Sequence, residues 1–214
     1  METVSIKRLV IGTKNEGKVS ELAGLFGTLP VRLVSLNEFE NVPEVEETGK
    51  TFLENAILKA RAFASMTGLP AVADDSGLEV EALDGAPGVL SARYAGETTT
   101  FPEKIERLLA EVEATGTVDR SARFVCSMAV ADTDGAILFT ADGECRGRLA
   151  EAPRGSSGFG YDPIFTPDGY DRTFGELPAD IKQEISHRAR ASKKIIRYLL
   201  DFIGVSLDQS NIRL

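Results

Sequence analysis

The chain has 214 residues, of which 43% are hydrophobic and 27% are charged, as in an ordinary soluble globular protein with enough length for a core in one domain or two small lobes. Its formal net charge of -9 argues against a protein that coats nucleic acid or lies on a membrane surface. No apolar run is long enough to cross a membrane, and Cys126 and Cys145 belong to no CxxC or Cys/His cluster. We therefore expect a cytoplasmic protein without a structural zinc site that binds neither nucleic acid nor membrane.

The first predicted unit is a strand, a short polar loop and a helix. Residues 8–13 read as the strand, and apolar residues at helical spacing predict a helix that opens near Gly17 and ends before Pro30. Free backbone N–H groups at such a helix start attract anions, and the helix dipole disfavours a cation such as Lys18 there. A bound anion would explain Lys18, and a solvated lysine beside an ordinary turn is the alternative.

Residues 31–36 resemble a second strand, and the acidic segment 37–49 is expected to be a loop. A helix is predicted for Thr51–Thr67, because Thr51 is followed three residues later by a glutamate, as in a capping box. Asn55 and Lys59 are four residues apart and therefore share one face of this helix. They form either a polar flank or part of a functional site.

The most informative stretch is Val72–Val80. A short apolar run ends in Asp74 and Asp75, and glycine and proline precede it, so it predicts a buried strand that carries both carboxylates at its carboxyl end. Ligands bind at that end of the strands in open α/β sheets. Two neighbouring carboxylates with oxygen ligands suit a hard divalent ion such as Mg²⁺. The alternative is a turn, because Asp, Ser and Gly all favour turns.

Further strands and helices complete an α/β pattern. An amphipathic helix is predicted for residues 102–114, after a glycine-bracketed loop at residues 85–96. Residues 120–131 and 137–143 read as two strands joined by a tight turn, to which we assign no chemistry. This hairpin implies a sheet that is not purely parallel.

The last third of the chain contains two polar or aromatic clusters. Gly160 separates Phe159 from Tyr161, which predicts two exposed rings next to backbone that a flat ligand can approach; an aromatic-lined strand start is the alternative. Ser186 is a good helix N-cap, so His187 and Arg188 are expected in the first turn of a long helix. Two potential cations there disfavour the helix and are better explained by an anionic or keto-oxygen ligand.

Six segments, in this order and spacing, closely resemble the inosine triphosphate pyrophosphatase family, the dITP/XTP diphosphatases. They are Thr13-x-Asn15-x-x-Lys18, Glu47-Thr48-Gly49, Thr51-Phe52-x-Glu54-Asn55-Ala56-x-x-Lys59-Ala60, Asp74-Asp75-Ser76-Gly77-Leu78, Phe159-Gly160-Tyr161-Asp162-Pro163-x-Phe165 and Ser186-His187-Arg188. The likeness covers residues 8–203. Each motif alone is weak, but the ordered set is specific.

This resemblance implies one pyrophosphatase domain over residues 1–214, with an elongated mixed central sheet flanked by helices and two lobes around an active-site cleft. It implies a homodimer that uses Mg²⁺ to hydrolyse ITP, dITP and XTP to a monophosphate and pyrophosphate. By position, Glu47 and Asp75 resemble the metal ligands, with Asp75 also the proton acceptor. The residues that resemble substrate contacts are Thr13, Lys14, Asn15, Glu16, Gly17, Lys18, Lys59, Ser76, Phe159, Gly160, Tyr161, Asp162, Lys182, His187 and Arg188.

The residue chemistry agrees with these roles. Lysines and a metal offset the charge of a triphosphate, and Asp75, with Lys18 and Asp74 as further catalytic residues, is suited to activate the attacking water. Donors such as Arg188 match the 6-keto oxygen of hypoxanthine or xanthine, where adenine carries an amino group. The alternatives are a Maf-type nucleotide pyrophosphatase and a nucleotide-binding sensor without catalysis.

Overall fold

The computed structural model describes residues 6–205. Six strands and five helices form a mixed α/β fold. The strands are β1 Arg8–Ile11, β2 Arg32–Ser35, β3 Ala71–Val80, β4 Ser121–Ala131, β5 Ile137–Leu149 and β6 Phe165–Pro167; the helices are α1 Glu16–Phe26, α2 Phe52–Thr67, α3 Phe101–Ala114, α4 Ala179–Ile185 and α5 His187–Phe202.

All six strands belong to one sheet in the order β2-β1-β3-β4-β5-β6. β1 is parallel to both β2 and β3, whereas β5 and β6 are antiparallel. The predicted mixed sheet flanked by helices is therefore confirmed. The expected turn closes the β4–β5 hairpin, where the Gly135 N–H donates to the Asp132 carbonyl at 2.8 Å.

Local sequence explains where the helices begin. The Thr51 hydroxyl accepts from the Glu54 N–H and the Glu54 carboxylate accepts from the Thr51 N–H, so α2 has the predicted capping box. Thr100 caps α3 in the same way. The start of α5 at His187, directly after Ser186, agrees with the sequence prediction.

The prediction that Asp74 and Asp75 end their strand is wrong, and the alternative turn is absent as well. β3 continues through both residues to Val80. Its pairing with β1 has its last partner at Val72, because β1 ends at Ile11. The carboxylates thus lie past the end of the parallel neighbour, while β3 goes on beside β4.

β5 also extends farther than expected, to Leu149 rather than Gly143. Residues 144–149 alternate polar and apolar positions, which is a strand signal. Position 147 within this extension requires a glycine, because a Cβ there would overlap the Thr166 carbonyl of β6. A glycine in the middle of a strand here marks a close approach of two backbones.

The described chain forms two compact units, the first from residues 6–75, 127–143 and 189–205 and the second from residues 76–126 and 144–188. Each has its own core. In the first, Ala56, Ala60 and Phe63 of α2 pack with apolar residues of β1 and β3. In the second, Ile105, Leu108 and Val112 of α3 pack with apolar residues of β3, β4 and β5. The single domain over residues 1–214, the elongated shape, the cleft and the homodimer stay predictions.

Among residues 6–205, no helix has the length and apolar character needed for a membrane crossing. The longest helices, α2 and α5, have 16 residues each, whereas a spanning helix needs about 20.

Candidate active site

The predicted anion-binding loop lies at the start of α1. The Asn15 side chain caps this helix by accepting from the Lys18 N–H at 3.0 Å, and the Thr13 hydroxyl accepts from the Asn15 N–H at 3.2 Å. Lys14 donates to the Val42 carbonyl at 2.6 Å and so fixes part of the acidic loop 37–49. Glu16 and Gly17 form the first turn of α1. The side chains of Thr13 and Asn15 therefore accept from backbone N–H groups at the start of α1, and Lys18 lies in its first turn.

Lys18 and Asp74 form an ion pair with 3.1 Å between Nζ and Oδ2. Asp74 is 1% exposed. Burying a carboxylate is costly unless a cation compensates it, so Lys18 allows Asp74 to occupy the middle of a buried strand. This pair joins the anion-binding loop to β3.

Lys59 holds two further carboxylates of the first unit. Its Nζ lies 2.6 Å from Glu47 Oε1 and 3.1 Å from Asp75 Oδ1. The two carboxylate oxygens are therefore no farther apart than the sum of these distances. Glu47 comes from the acidic loop and Asp75 from β3, so Lys59 brings together the two residues predicted to hold a metal.

Asn55 belongs to this group and is not a solvated polar flank of α2. It is fully buried, and its Nδ2 donates to Asp75 Oδ2 at 3.0 Å. Its Oδ1 accepts from the Gly49 N–H at 2.8 Å. The signal in the sequence was the spacing of four residues between Asn55 and Lys59, which puts both on the face of α2 that meets β3.

Burial raises the pKa of Asp75 above its ordinary value, although the nearby charges of Lys59 and Lys18 lower it. Burial by itself would lower the pKa of Lys59, but the carboxylates of Asp75, Asp74 and Glu47 outweigh it and raise that pKa. Lys59 thus stays an ammonium at neutral pH, and Asp75 accepts a proton more readily than an ordinary aspartate does.

The donor set fits a hard divalent cation. Glu47, Asp74 and Asp75 carry three negative charges against the two positive charges of Lys18 and Lys59. Within residues 6–205, no group of three or more His, Cys, Asp or Glu side chains has the arrangement of a complete metal site. Mg²⁺, however, commonly takes one or two protein carboxylates and obtains its other ligands from phosphate and water.

The second unit holds the aromatic and basic residues of the predicted base pocket. Asp162 is buried, and its Oδ2 accepts from the Phe159 N–H at 2.7 Å and from Lys182 Nζ at 2.5 Å. The Lys182 ammonium also lies 4.6 Å from the centre of the Phe159 ring. Gly158 allows the chain to turn so that the Asp162 carboxylate lies against the Phe159 N–H. Its φ is +73°, and a Cβ there would overlap Asp162 Oδ2. Asp162 therefore positions both Phe159 and Lys182.

Arg188 and His187 belong to the same unit and are buried in it. The Arg188 guanidinium donates to the Ser76 hydroxyl at 2.7 Å and lies 5.7 Å from the centre of the Phe159 ring. The His187 ring stacks on Phe124 at 4.7 Å between centroids. Arg188 thus contacts both Ser76, the residue after Asp75, and the Phe159 ring.

The expectation that both rings flanking Gly160 are exposed is wrong for Tyr161. Phe159 is half-buried, whereas Tyr161 is 3% exposed, and its ring meets Phe101 edge to face. Its hydroxyl donates to the Ser91 carbonyl at 3.1 Å, and burial keeps its pKa above the ordinary range. Tyr161 is buried because its ring and hydroxyl both find partners in the core of the second unit.

Comparison with known proteins establishes the family. A sequence model of the Ham1 family matches residues 9–198. The chain belongs to the Ham1 family. The dITP/XTP pyrophosphatase of Geobacter sulfurreducens is 48% identical to it over 92% of this chain and 96% of the relative, and that of Streptomyces coelicolor is 44% identical over 92% and 99%. The solved Ham1 protein from Coxiella burnetii is 43% identical and superposes with a TM-score of 0.83 over 91% of this chain and 98% of that protein.

The Ham1 match confirms the resemblance stated from the six motifs, since these relatives carry the name dITP/XTP pyrophosphatase. It also confirms the fold class, because the solved Ham1 protein covers nearly the whole chain. The roles of the individual site residues stay predictions.

Proposed function

We propose that this Ham1 protein hydrolyses deaminated purine nucleoside triphosphates, namely dITP, ITP and XTP, to the monophosphate and pyrophosphate. Its curated relatives are named for dITP and XTP. The observation that carries the proposal is the group of three carboxylates and two lysines in the first unit, of which Asp74, Asp75 and Lys59 are buried. Such a group suits a polyphosphate with a cation better than it suits any neutral ligand.

The triphosphate is assigned to the first unit. Thr13 to Lys18 supply a capped helix start with an ammonium group, and Lys59 supplies a second positive charge. Glu47 and Asp75 would hold a divalent cation, which we propose to be Mg²⁺. When bound, this cation supplies positive charge to the phosphoryl oxygens in the transition state.

The chemical step assigned to Asp75 is proton abstraction. Asp75 takes a proton from a water molecule whose oxygen forms a bond to the α-phosphorus. The bond between the α-phosphorus and the bridging oxygen breaks, and pyrophosphate leaves with that oxygen. The raised pKa of Asp75 supports its role as the base. Lys18 and Lys59 offset the negative charge of the phosphates.

The base is assigned to the second unit. Phe159 offers a half-buried ring for stacking, and Lys182 and Arg188 lie near that ring as hydrogen-bond donors. A 6-keto oxygen accepts from such donors. The 6-amino group of adenine would leave them unpaired, and discrimination of this kind reaches about 10⁴-fold.

A nucleotide panel tests the proposal. We expect pyrophosphate, and no orthophosphate, from dITP, ITP and XTP with Mg²⁺, much slower reaction with ATP and GTP, and loss of activity in EDTA. Tight binding of dITP without turnover would favour the sensor alternative. Turnover of pyrimidine nucleotides in preference to dITP would favour the Maf-type alternative, which the Ham1 family match does not support.

A further inference from the structure

The Asn55 amide is bonded at both of its ends to residues of the carboxylate group. Oδ1 accepts from the Gly49 N–H at 2.8 Å, and Nδ2 donates to Asp75 Oδ2 at 3.0 Å. Gly49 follows Glu47 by two residues, so this one fully buried side chain connects the loop that carries Glu47 to Asp75.

Only a side chain with both a donor and an acceptor can make these two bonds. Aspartate would put a carboxylate against Asp75, and leucine would leave the Gly49 N–H and the carboxylate without this partner. The loop also lies so close to Asn55 that position 49 requires a glycine, because a Cβ there would lie 2.6 Å from Asn55 Oδ1. The contact between Gly49 and Asn55 therefore restricts residue type on both sides.

Asn55 and Lys59 have different functions in holding Glu47 near Asp75. The Lys59 ammonium contacts both carboxylates directly, so a divalent cation bound to them would compete with it. The Asn55 amide occupies Asp75 Oδ2 and a backbone N–H, and both bonds remain compatible with a ligand on Asp75 Oδ1.

We propose that Asn55 is a positioning residue that holds Glu47 and Asp75 ready to bind a divalent cation. This inference rests on the proposed function. A side chain that orients metal ligands typically changes metal affinity or activity by about 10- to 100-fold when it is replaced.

The first test uses Mn²⁺ as a probe of an oxygen-ligand site and needs no nucleotide. Isothermal titration calorimetry is carried out on the wild type, on Asn55→Leu and on Ser192→Ala. Ser192 is a matched control, because it is fully buried in the same unit and its hydroxyl contacts the Met128 sulfur at 3.5 Å. We expect Asn55→Leu to bind Mn²⁺ about 10- to 100-fold more weakly and Ser192→Ala to bind it as the wild type does.

The second test separates positioning from folding. A Cβ at Gly49 would lie 2.6 Å from Asn55 Oδ1 and 2.7 Å from Glu54 Cβ, so Gly49→Ala displaces the Asn55 amide while both carboxylates and Asn55 itself stay in the chain. We expect Gly49→Ala to weaken Mn²⁺ binding, as Asn55→Leu does. We also expect it to lower kcat for dITP at low Mg²⁺, with partial recovery at high Mg²⁺. Circular dichroism shows whether each variant is folded. If Asn55→Leu does not fold, Gly49→Ala decides.

The outcomes distinguish this inference from the proposed function. A wild type that neither binds Mn²⁺ nor releases pyrophosphate from dITP contradicts the proposed function. A wild type that does both, together with folded Asn55→Leu and Gly49→Ala variants of unchanged Mn²⁺ affinity and unchanged kcat, overturns only the role of Asn55.

Discussion

Asp74 and Asp75 are adjacent in β3 but pair with different lysines. Lys18 lies 3.1 Å from Asp74 Oδ2, and Lys59 lies 3.1 Å from Asp75 Oδ1. Lys18 comes from α1 and Lys59 from α2, so the two neighbouring carboxylates have separate direct partners within one group of charges. Because their direct contacts differ, we expect the two residues to respond differently to substitution.

Replacing Asp75 by asparagine should abolish turnover while preserving the fold. The amide keeps the shape of the carboxylate but cannot accept the proton, so we expect kcat for dITP to fall by about 10³-fold or more. Asp74→Asn is the matched variant and should chiefly raise KM, because Lys18 loses its partner. Pyrophosphate release and thermal unfolding are measured for both. An Asp75→Asn enzyme within tenfold of the wild type would refute its role as the base.

The stability of the metal-free protein should depend on pH through Asp75. Burial raises the pKa of this carboxyl, so the folded chain binds the proton more tightly than the unfolded chain does. The resulting stabilisation is fully present below the ordinary aspartate pKa of about 3.9 and is lost as the pH rises through the higher pKa of the folded state.

Urea denaturation in EDTA checks this dependence. From about pH 4 upward, the wild type should lose free energy of unfolding relative to Asp75→Asn. Lys59 does not titrate in this range, because its pKa is raised above 10.5. A difference between the two proteins that stays constant with pH, or that changes in the opposite direction, would contradict the prediction.

Base selectivity should depend on Arg188 and on the residue that holds it. Arg188→Ala removes a buried donor near the Phe159 ring, so the ratio of kcat/KM for ITP to that for ATP should fall by at least tenfold. Ser76→Ala leaves the guanidinium in place but removes its hydroxyl partner, and we expect a smaller change in the same direction. An unchanged ratio in Arg188→Ala would assign base reading to other residues.

The turn at Gly158 should affect substrate binding as well as stability. Alanine there meets two obstacles, a positive φ and an overlap with Asp162 Oδ2. Gly169→Ala is the matched control, because φ is +85° but nothing lies within 4 Å of the added Cβ. Both variants should lose about 1 kcal/mol or more of stability, but only Gly158→Ala should raise KM for ITP, since Asp162 holds Phe159 and Lys182. Equal KM values in the two variants would contradict this role of Asp162.

Local signals in the sequence predicted much of the fold. The capping box of Thr51 and the position of Ser186 fixed the starts of α2 and α5 to within a residue. These features depend on residues within one helical turn of each other, so they can be recognised from the sequence alone.

Long-range contacts explain what the sequence did not show. Two charged residues in the middle of a strand are unfavourable by propensity, and they become acceptable only because Lys18 and Lys59 compensate them from two different helices. β5 is a different case, because residues 144–149 alternate in a strand pattern and the long-range contact explains only why position 147 is a glycine.

The role of Asn55 was hidden for another reason. An asparagine near a helix start usually faces solvent or caps the helix, and nothing local distinguishes it from a buried bridge. The two atoms that define its role belong to Gly49 and Asp75, which lie on opposite sides of it in the sequence. Only the fold brings them together.

Because β3, β4 and β5 each contribute residues to both units, neither unit corresponds to an uninterrupted stretch of the gene. A fragment that contained only one unit would cut β3, β4 and β5 in the middle. The cut strands would expose unpaired edges that are prone to aggregation. Recombination therefore has no single junction in the gene at which one whole unit could be exchanged.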